Sequence, residues 1–241
     1  MSTLDDQERR RRCFWCGRPG AATKDHVFPR GLFPEPMPEG VTPITVPACR
    51  QHNGAFNLDE EYFRDFVVGA AYEHPEARQI WDVRTVSALE KKPKYRALLA
   101  SQLQDFEVRS DTGLYLGTGS MMHADPRRIE LVLRKIVTGL VFRESGNVLG
   151  FPAFYFQQIL KNDDLAPWRS LLPSLEVRRL GHIVYRFGQA VDEPRGVVGL
   201  FMFFDRVLFA ACTFPRDPDV PDPLQARKGR ERLRRLWTPN P

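Results

Sequence analysis

Residues 12–57 read RCFWCGRPGAATKDHVFPRGLFPEPMPEGVTPITVPACRQHNGAFN. Three of the four cysteines of the chain fall inside this stretch. Two short knuckles frame it: Cys13-Phe14-Trp15-Cys16, followed by Gly17, and Cys49-Arg50-Gln51-His52. The segment is rich in glycine and proline and has little helical periodicity. It buries too little apolar surface to fold unaided and needs a staple. Four soft or borderline donors in two tight pairs suit tetrahedral Zn²⁺, with no coordination position left open for chemistry. Metal binding would ionise the thiolates and supply the missing folding free energy. The plainer alternative is ordinary buried thiols beside a surface histidine. A further one turns His52 toward a reaction centre and leaves the zinc a water or another ligand.

Between the knuckles lies Thr23-Lys24-Asp25-His26-Val27-Phe28-Pro29-Arg30, and directly after the second comes Asn53-Gly54-Ala55-Phe56-Asn57. Phosphodiester hydrolysis needs a base to activate water and a cation to stabilise the phosphorane charge and the departing alkoxide. A neutral imidazole suits the first role. Neighbours on a strand point to opposite sides, so the Asp25 carboxylate can face a divalent ion while His26 faces the water. A helix starting near His52 would place Asn53, Asn57, Glu60 and Arg64 on one face, with amide oxygens able to bind Mg²⁺ directly or through water. Asparagine is also a favoured N-cap residue, so Asn53 and Asn57 can equally serve to cap that helix.

In the order and spacing of these parts the chain resembles the HNH endonucleases, ββα-metal nucleases with zinc knuckles. The shared pattern is C-x2-C, then [D/E]-H-[I/V]-x-P, then C-x2-[C/H]-[N/H]. It is met here by Cys13/Cys16, Asp25-His26-Val27-Phe28-Pro29, and Cys49/His52-Asn53. The resemblance covers about residues 12–72. It implies a structural zinc on Cys13, Cys16, Cys49 and His52, with His26 as general base. It also implies a catalytic Mg²⁺ or similar ion on Asp25 with Asn53 or Asn57. His52 in place of a fourth cysteine departs from the commoner version. The middle asparagine of the pattern is missing from Ile44-Thr45-Val46-Pro47-Ala48, where Thr45 is the available hydrogen-bonding substitute.

From Leu58 the pattern changes. Phe63, Phe66 and Ala70 recur at helical spacing, and His74-Pro75 closes the run. Glu76–Asp82 and Ser87–Leu103 read as further helices. Asp105–Leu116 reads as a hairpin turning at Ser110–Gly113. Asp125-Pro126 opens a helix with an apolar stripe of Ile129, Val132, Leu133, Ile136, Val137 and Leu140, and Gly146 lies past its end. Strands are expected at Glu176–Arg179, His182–Gln189, Val197–Phe204 and Val207–Phe214, with Asp205-Arg206 as a tight turn. The expected class is α+β. The domain reading is a flexible basic arm (1–11), an HNH-like ββα-metal module (12–73), an α+β domain of unknown role (74–215) and a basic, proline-rich tail (216–241).

The formal net charge of +5 favours an acidic partner, here DNA, without identifying one. Arg9, Arg10, Arg11, Arg12 and Arg30 are the candidate phosphate contacts, although a solvated tail explains the first four equally well. His123 and His182 read as structural or exposed, Cys212 as a core thiol, and Phe201, Phe203 and Phe204 as core. No apolar run approaches the ~20 residues that cross a bilayer. No apolar segment precedes the first knuckle to form a secretory signal, so a cytoplasmic protein is expected. Two functions follow: a metal-dependent DNA endonuclease, or a non-catalytic zinc module that binds nucleic acid or a protein.

Overall fold

Short strands flank the two knuckles. Strand β1 (Thr23–His26) pairs antiparallel with β2 (Thr45–Ala48), placing Asp25 opposite Val46 and His26 opposite Thr45. The computed structural model describes residues 11–149, 153–160, 162–168, 175–189 and 196–214. Helix α1 (Asn57–Ala70) follows, burying Tyr62, Phe63, Phe66 and Val67 along one stripe at helical spacing. Pro75 then opens α2 (Pro75–Ile80), which runs through a π-helical turn (Trp81–Thr85) into α3 (Val86–Lys91). The helix expected over Ser87–Leu103 is broken at Lys92. Pro93 pushes the residue before it out of the α region, and Lys92 sits at φ −124°, ψ 76°. Helix α4 (Pro93–Ser101) completes the run.

The hairpin forms as the sequence implies, from β3 (Leu103–Arg109) and β4 (Tyr115–Met122). Helix α5 (Pro126–Ser145) has the expected ends. The Asp125 carboxylate accepts from the Arg127 N–H at 3.0 Å, and Gly146 closes the helix at φ 69°, where a Cβ would be strained.

The last five strands form one antiparallel sheet in the order β5-β9-β8-β7-β6. They are β5 (Ala153–Ile159), β6 (Val177–Leu180), β7 (Ile183–Gln189), β8 (Val197–Phe203) and β9 (Val207–Phe214). Strand β5 is absent from the sequence reading and pairs with β9 at the sheet edge. Phe204 leaves the expected strand. Phe204 and Asp205 take φ values of 54° and 53°, and the Arg206 N–H donates to the Phe203 carbonyl. A left-handed phenylalanine is costly. It is held by a ring stack on His182, with centroids 3.9 Å apart.

One face of this sheet carries Phe201, Phe203 and Phe209 into a cluster that also holds Phe14, Val27, Phe28, Phe33 and the buried stripes of α1 and α5. Phe63 lies 5.5 Å from Phe203, and Phe28 lies 5.2 Å from Tyr185. The cluster therefore crosses the boundary expected at residue 73 without a break. The opposite face buries Ile159, Leu200 and Ala210 under Leu165 and Trp168. Among the described residues, no helix is long and apolar enough to cross a membrane.

Candidate metal centre and catalytic surface

Each knuckle is a tight backbone turn. The Gly17 N–H donates to the Cys13 carbonyl at 2.8 Å, and Gly17 at φ 71° supplies the left-handed step that turns the chain back. The His52 and Asn53 N–H groups both donate to the Cys49 carbonyl. The Phe14 N–H donates to the Pro47 carbonyl and ties the first knuckle to β2. The result brings one donor atom each from Cys13, Cys16, Cys49 and His52 within 4.8 Å of one another. His52 Nδ1 lies 3.2 Å from Cys49 Sγ and 3.7 Å from Cys13 Sγ. Bond lengths of ~2.3 Å to sulfur and ~2.0 Å to nitrogen at tetrahedral angles require S···N separations of about 3.5 Å. The donor set and its spacing thus fit a metal ion such as zinc. The cysteines are free of disulfides. Burial opposes ionisation of Cys13, but the backbone groups of Cys16, Cys49 and Trp15 outweigh it and hold this thiol below its ordinary value. Burial, helped by the nearby Arg18 charge, lowers the His52 pKa, which favours the neutral, metal-binding imidazole.

His26 ends β1 and is half-buried, and its backbone N–H donates to Asp25 Oδ1 at 2.7 Å. Burial lowers its pKa. Asp25 opposes that shift, and the cations Lys135 and Arg30 reinforce it.

Asp25 itself is buried, and a residue the sequence reading missed engages it. Lys135, on α5 and also buried, donates to Asp25 Oδ1 at 2.9 Å and to Glu60 Oε1 on α1. Its ammonium lies 5.5 Å from the centre of the Phe56 ring. Burial is the largest influence on Glu60 and raises its pKa against the pull of Lys135. The only signal in the sequence was a lysine beside Ile136 and three residues after Val132, inside an otherwise apolar stripe.

The helix expected from Leu58 forms, but it does not extend back to His52 as the shared face of Asn53 and Asn57 would require. Helix α1 begins at Asn57, because the chain from Cys49 to Phe56 makes successive tight turns and Gly54 stands at φ 90°, which no right-handed helix permits. Asn53 is therefore exposed in a turn, and Asn57 is exposed at the first helical position. The N-cap is Phe56, with no side-chain cap. Glu60 and Arg64 do not extend an open ligand face. Glu60 meets Lys135, and Arg64 is buried against Asp65 at 2.7 Å. Asp25 Oδ1, a candidate ligand atom for the expected divalent ion, is engaged by the Lys135 ammonium.

Arg11, Arg12, Arg18, Lys24 and Arg50 are exposed around the knuckles and β1, with no ion pair among the described residues. Arg30 is also exposed and, among the described residues, makes only a loose 3.7 Å contact with Glu35. Arg9 and Arg10 lie outside the described residues, as does the basic tail. A cleft of about 420 Å³ beside the first knuckle is lined by Arg12, Cys16, Gly17, Gly146, Asn147 and Val148, and none of Asp25, His26, Asn53 or Asn57 opens into it. Elsewhere, His182 is buried with Nδ1 2.7 Å from Glu76, His123 is exposed beside Gln104, and burial raises the Cys212 thiol to about 11. Comparison with protein-family models, with curated proteins and with solved structures found no match.

Proposed function

We propose that this chain is an endonuclease of the HNH type that hydrolyses phosphodiester bonds in DNA, with His26 as the general base. In this reading β1, β2 and α1 are a ββα module, and a zinc ion on Cys13, Cys16, Cys49 and His52 sets the distance between its two strands. The observation that carries the reading is the state and place of His26. It stands at the end of β1, half-buried, and burial lowers its pKa, which favours the neutral imidazole. A neutral imidazole can take a proton from water at pH 7, which a protonated one cannot. Arg30 is the candidate to receive a phosphate in this reading, because it acts electrostatically on His26 and is largely exposed. The exposed cations around the knuckles supply attraction to the nucleic-acid backbone. No step is assigned to a divalent ion on Asp25.

The second reading is a zinc module that binds nucleic acid without cutting it. It is favoured by the commitment of Asp25 to Lys135 and by the missing asparagine in residues 44–48. One experiment separates the two. Supercoiled plasmid is incubated with the zinc-loaded chain in Mg²⁺ or Mn²⁺, beside His26→Ala. The nuclease reading expects nicking by the natural chain and a loss of roughly 100-fold or more in the variant. Equal nicking by both removes His26 from the chemistry. Salt-dependent binding by both, with no nicking by either, establishes the module reading.

A further inference from the structure

Lys135 is placed where a metal ion would be expected. Its side chain is 1% exposed, and it is a long flexible cation on an apolar helix face, an arrangement that is costly unless every charge is met. Two carboxylates from separate elements meet it: Asp25 from β1 and Glu60 from α1. The face of the Phe56 ring closes the cage on a third side. The second Asp25 oxygen, Oδ2, is buried and has no hydrogen-bond partner among the described residues. A carboxylate with one oxygen on a cation and the other unsatisfied has spare ligand capacity. The two carboxylates converge on one nitrogen, and hard divalent ions take carboxylate oxygens at ~2.0–2.6 Å, close to hydrogen-bond spacing.

We propose that Lys135 is the resident cation of this site. Its ammonium fills the space between Asp25 and Glu60 that a divalent ion would otherwise take, and the two cannot be held together. Lys135 thus joins α5 to β1 and α1 and fixes the strand end that carries His26. The natural chain holds no divalent ion at Asp25, and the pair Asp25–Glu60 becomes a divalent-cation site only when the ammonium is removed. The inference stands whether or not the chain cuts nucleic acid.

The test uses the full chain, zinc-loaded, with Mn²⁺ as the probe and its free signal read by electron paramagnetic resonance. The variants are Lys135→Met, which keeps the stem and removes the charge, Asp25→Asn, and the two combined. The natural chain and Asp25→Asn are expected to bind Mn²⁺ alike. Lys135→Met is expected to gain one site, roughly tenfold tighter or more, which Asp25→Asn removes again. A Mn²⁺ site in the natural chain that disappears in Asp25→Asn overturns the proposal. So does a folded Lys135→Met that gains no site, or gains one that survives in the double variant. Should Lys135→Met fail to fold, the natural chain against Glu60→Gln decides: equal binding upholds the proposal, and weaker binding in the variant overturns it. Cleavage is not read in any arm, so failure here and failure of the nuclease reading are separate results.

Discussion

At the scale of residues, what could be read in advance was local. Cys13 with Cys16, and Cys49 with His52, are each three positions apart, so spacing alone brings each pair together. Asp25 and His26 are adjacent and needed no fold to be noticed. Lys135 was not legible, because its partners lie 110 and 75 positions away and nothing near it in sequence announces them. His182 gave as little warning. Its Nδ1 is 2.7 Å from Glu76, and its ring is stacked on Phe204. Burial lowers its pKa, although Glu76 and the Leu32 carbonyl favour the proton; nearby His74 adds to the lowering. The unfolded chain therefore takes up a proton more readily than the folded one. The stability this residue contributes is complete above the unfolded value of 6.5 and is lost as pH falls through the window below it. Urea unfolding from about pH 7.5 down to about pH 5 should show a decline that is shallower in His182→Phe, by at most ~1.4 kcal/mol per pH unit. An identical decline in both chains would remove His182 from the acid response.

Elements were legible where period and ends agreed. Helix α5 has a capping Asp125, Pro126 at its first position and Gly146 at its end, and the structure follows all three. The hairpin and strands β6 to β9 were marked by alternation and turn residues. Strand β5 was missed because its strand character comes from pairing with β9, some fifty residues on, and not from its own bounds. The start of α1 at Asn57 agrees with the change of pattern at Leu58, whereas the extension back toward His52 that would align Asn53 with Asn57 is ruled out by the turns after Cys49 and by Gly54 at φ 90°. Packing between elements was the least visible. Gly139 on α5 faces Val27, directly after His26, and a Cβ there would stand 2.9 Å from Val27 Cγ2. A real Cβ does not approach so closely, so Gly139→Ala must displace the Val27 side chain or push α5 away from the segment that carries His26. We expect a loss of ~1–3 kcal/mol in denaturant unfolding, as for other overpacked cores. No loss would mean that the two elements are not in close contact.

At the scale of the molecule, the N-terminal segment and the large sheet share one apolar cluster. The segment delivers Phe14, Val27, Phe28, Leu32 and Phe33 to it, each almost wholly buried. These residues come from a region rich in proline and tight turns, with two strands of four residues each and a single 3-10 turn (Arg30–Leu32) as its regular structure before α1. Their positions depend on the cluster of Cys13, Cys16, Cys49 and His52, which draws the two ends of the segment together. The α+β class followed from the element pattern, but the shared core did not, because it joins side chains nearly two hundred residues apart. Metal content and zinc-edge X-ray absorption of the chain, purified without added chelator, test the account most directly. It predicts one zinc per chain, bound by three sulfurs at ~2.3 Å and one nitrogen at ~2.0 Å, with one sulfur lost in Cys49→Ser. A chain folded without metal, or an ion surrounded by oxygen donors, would contradict it.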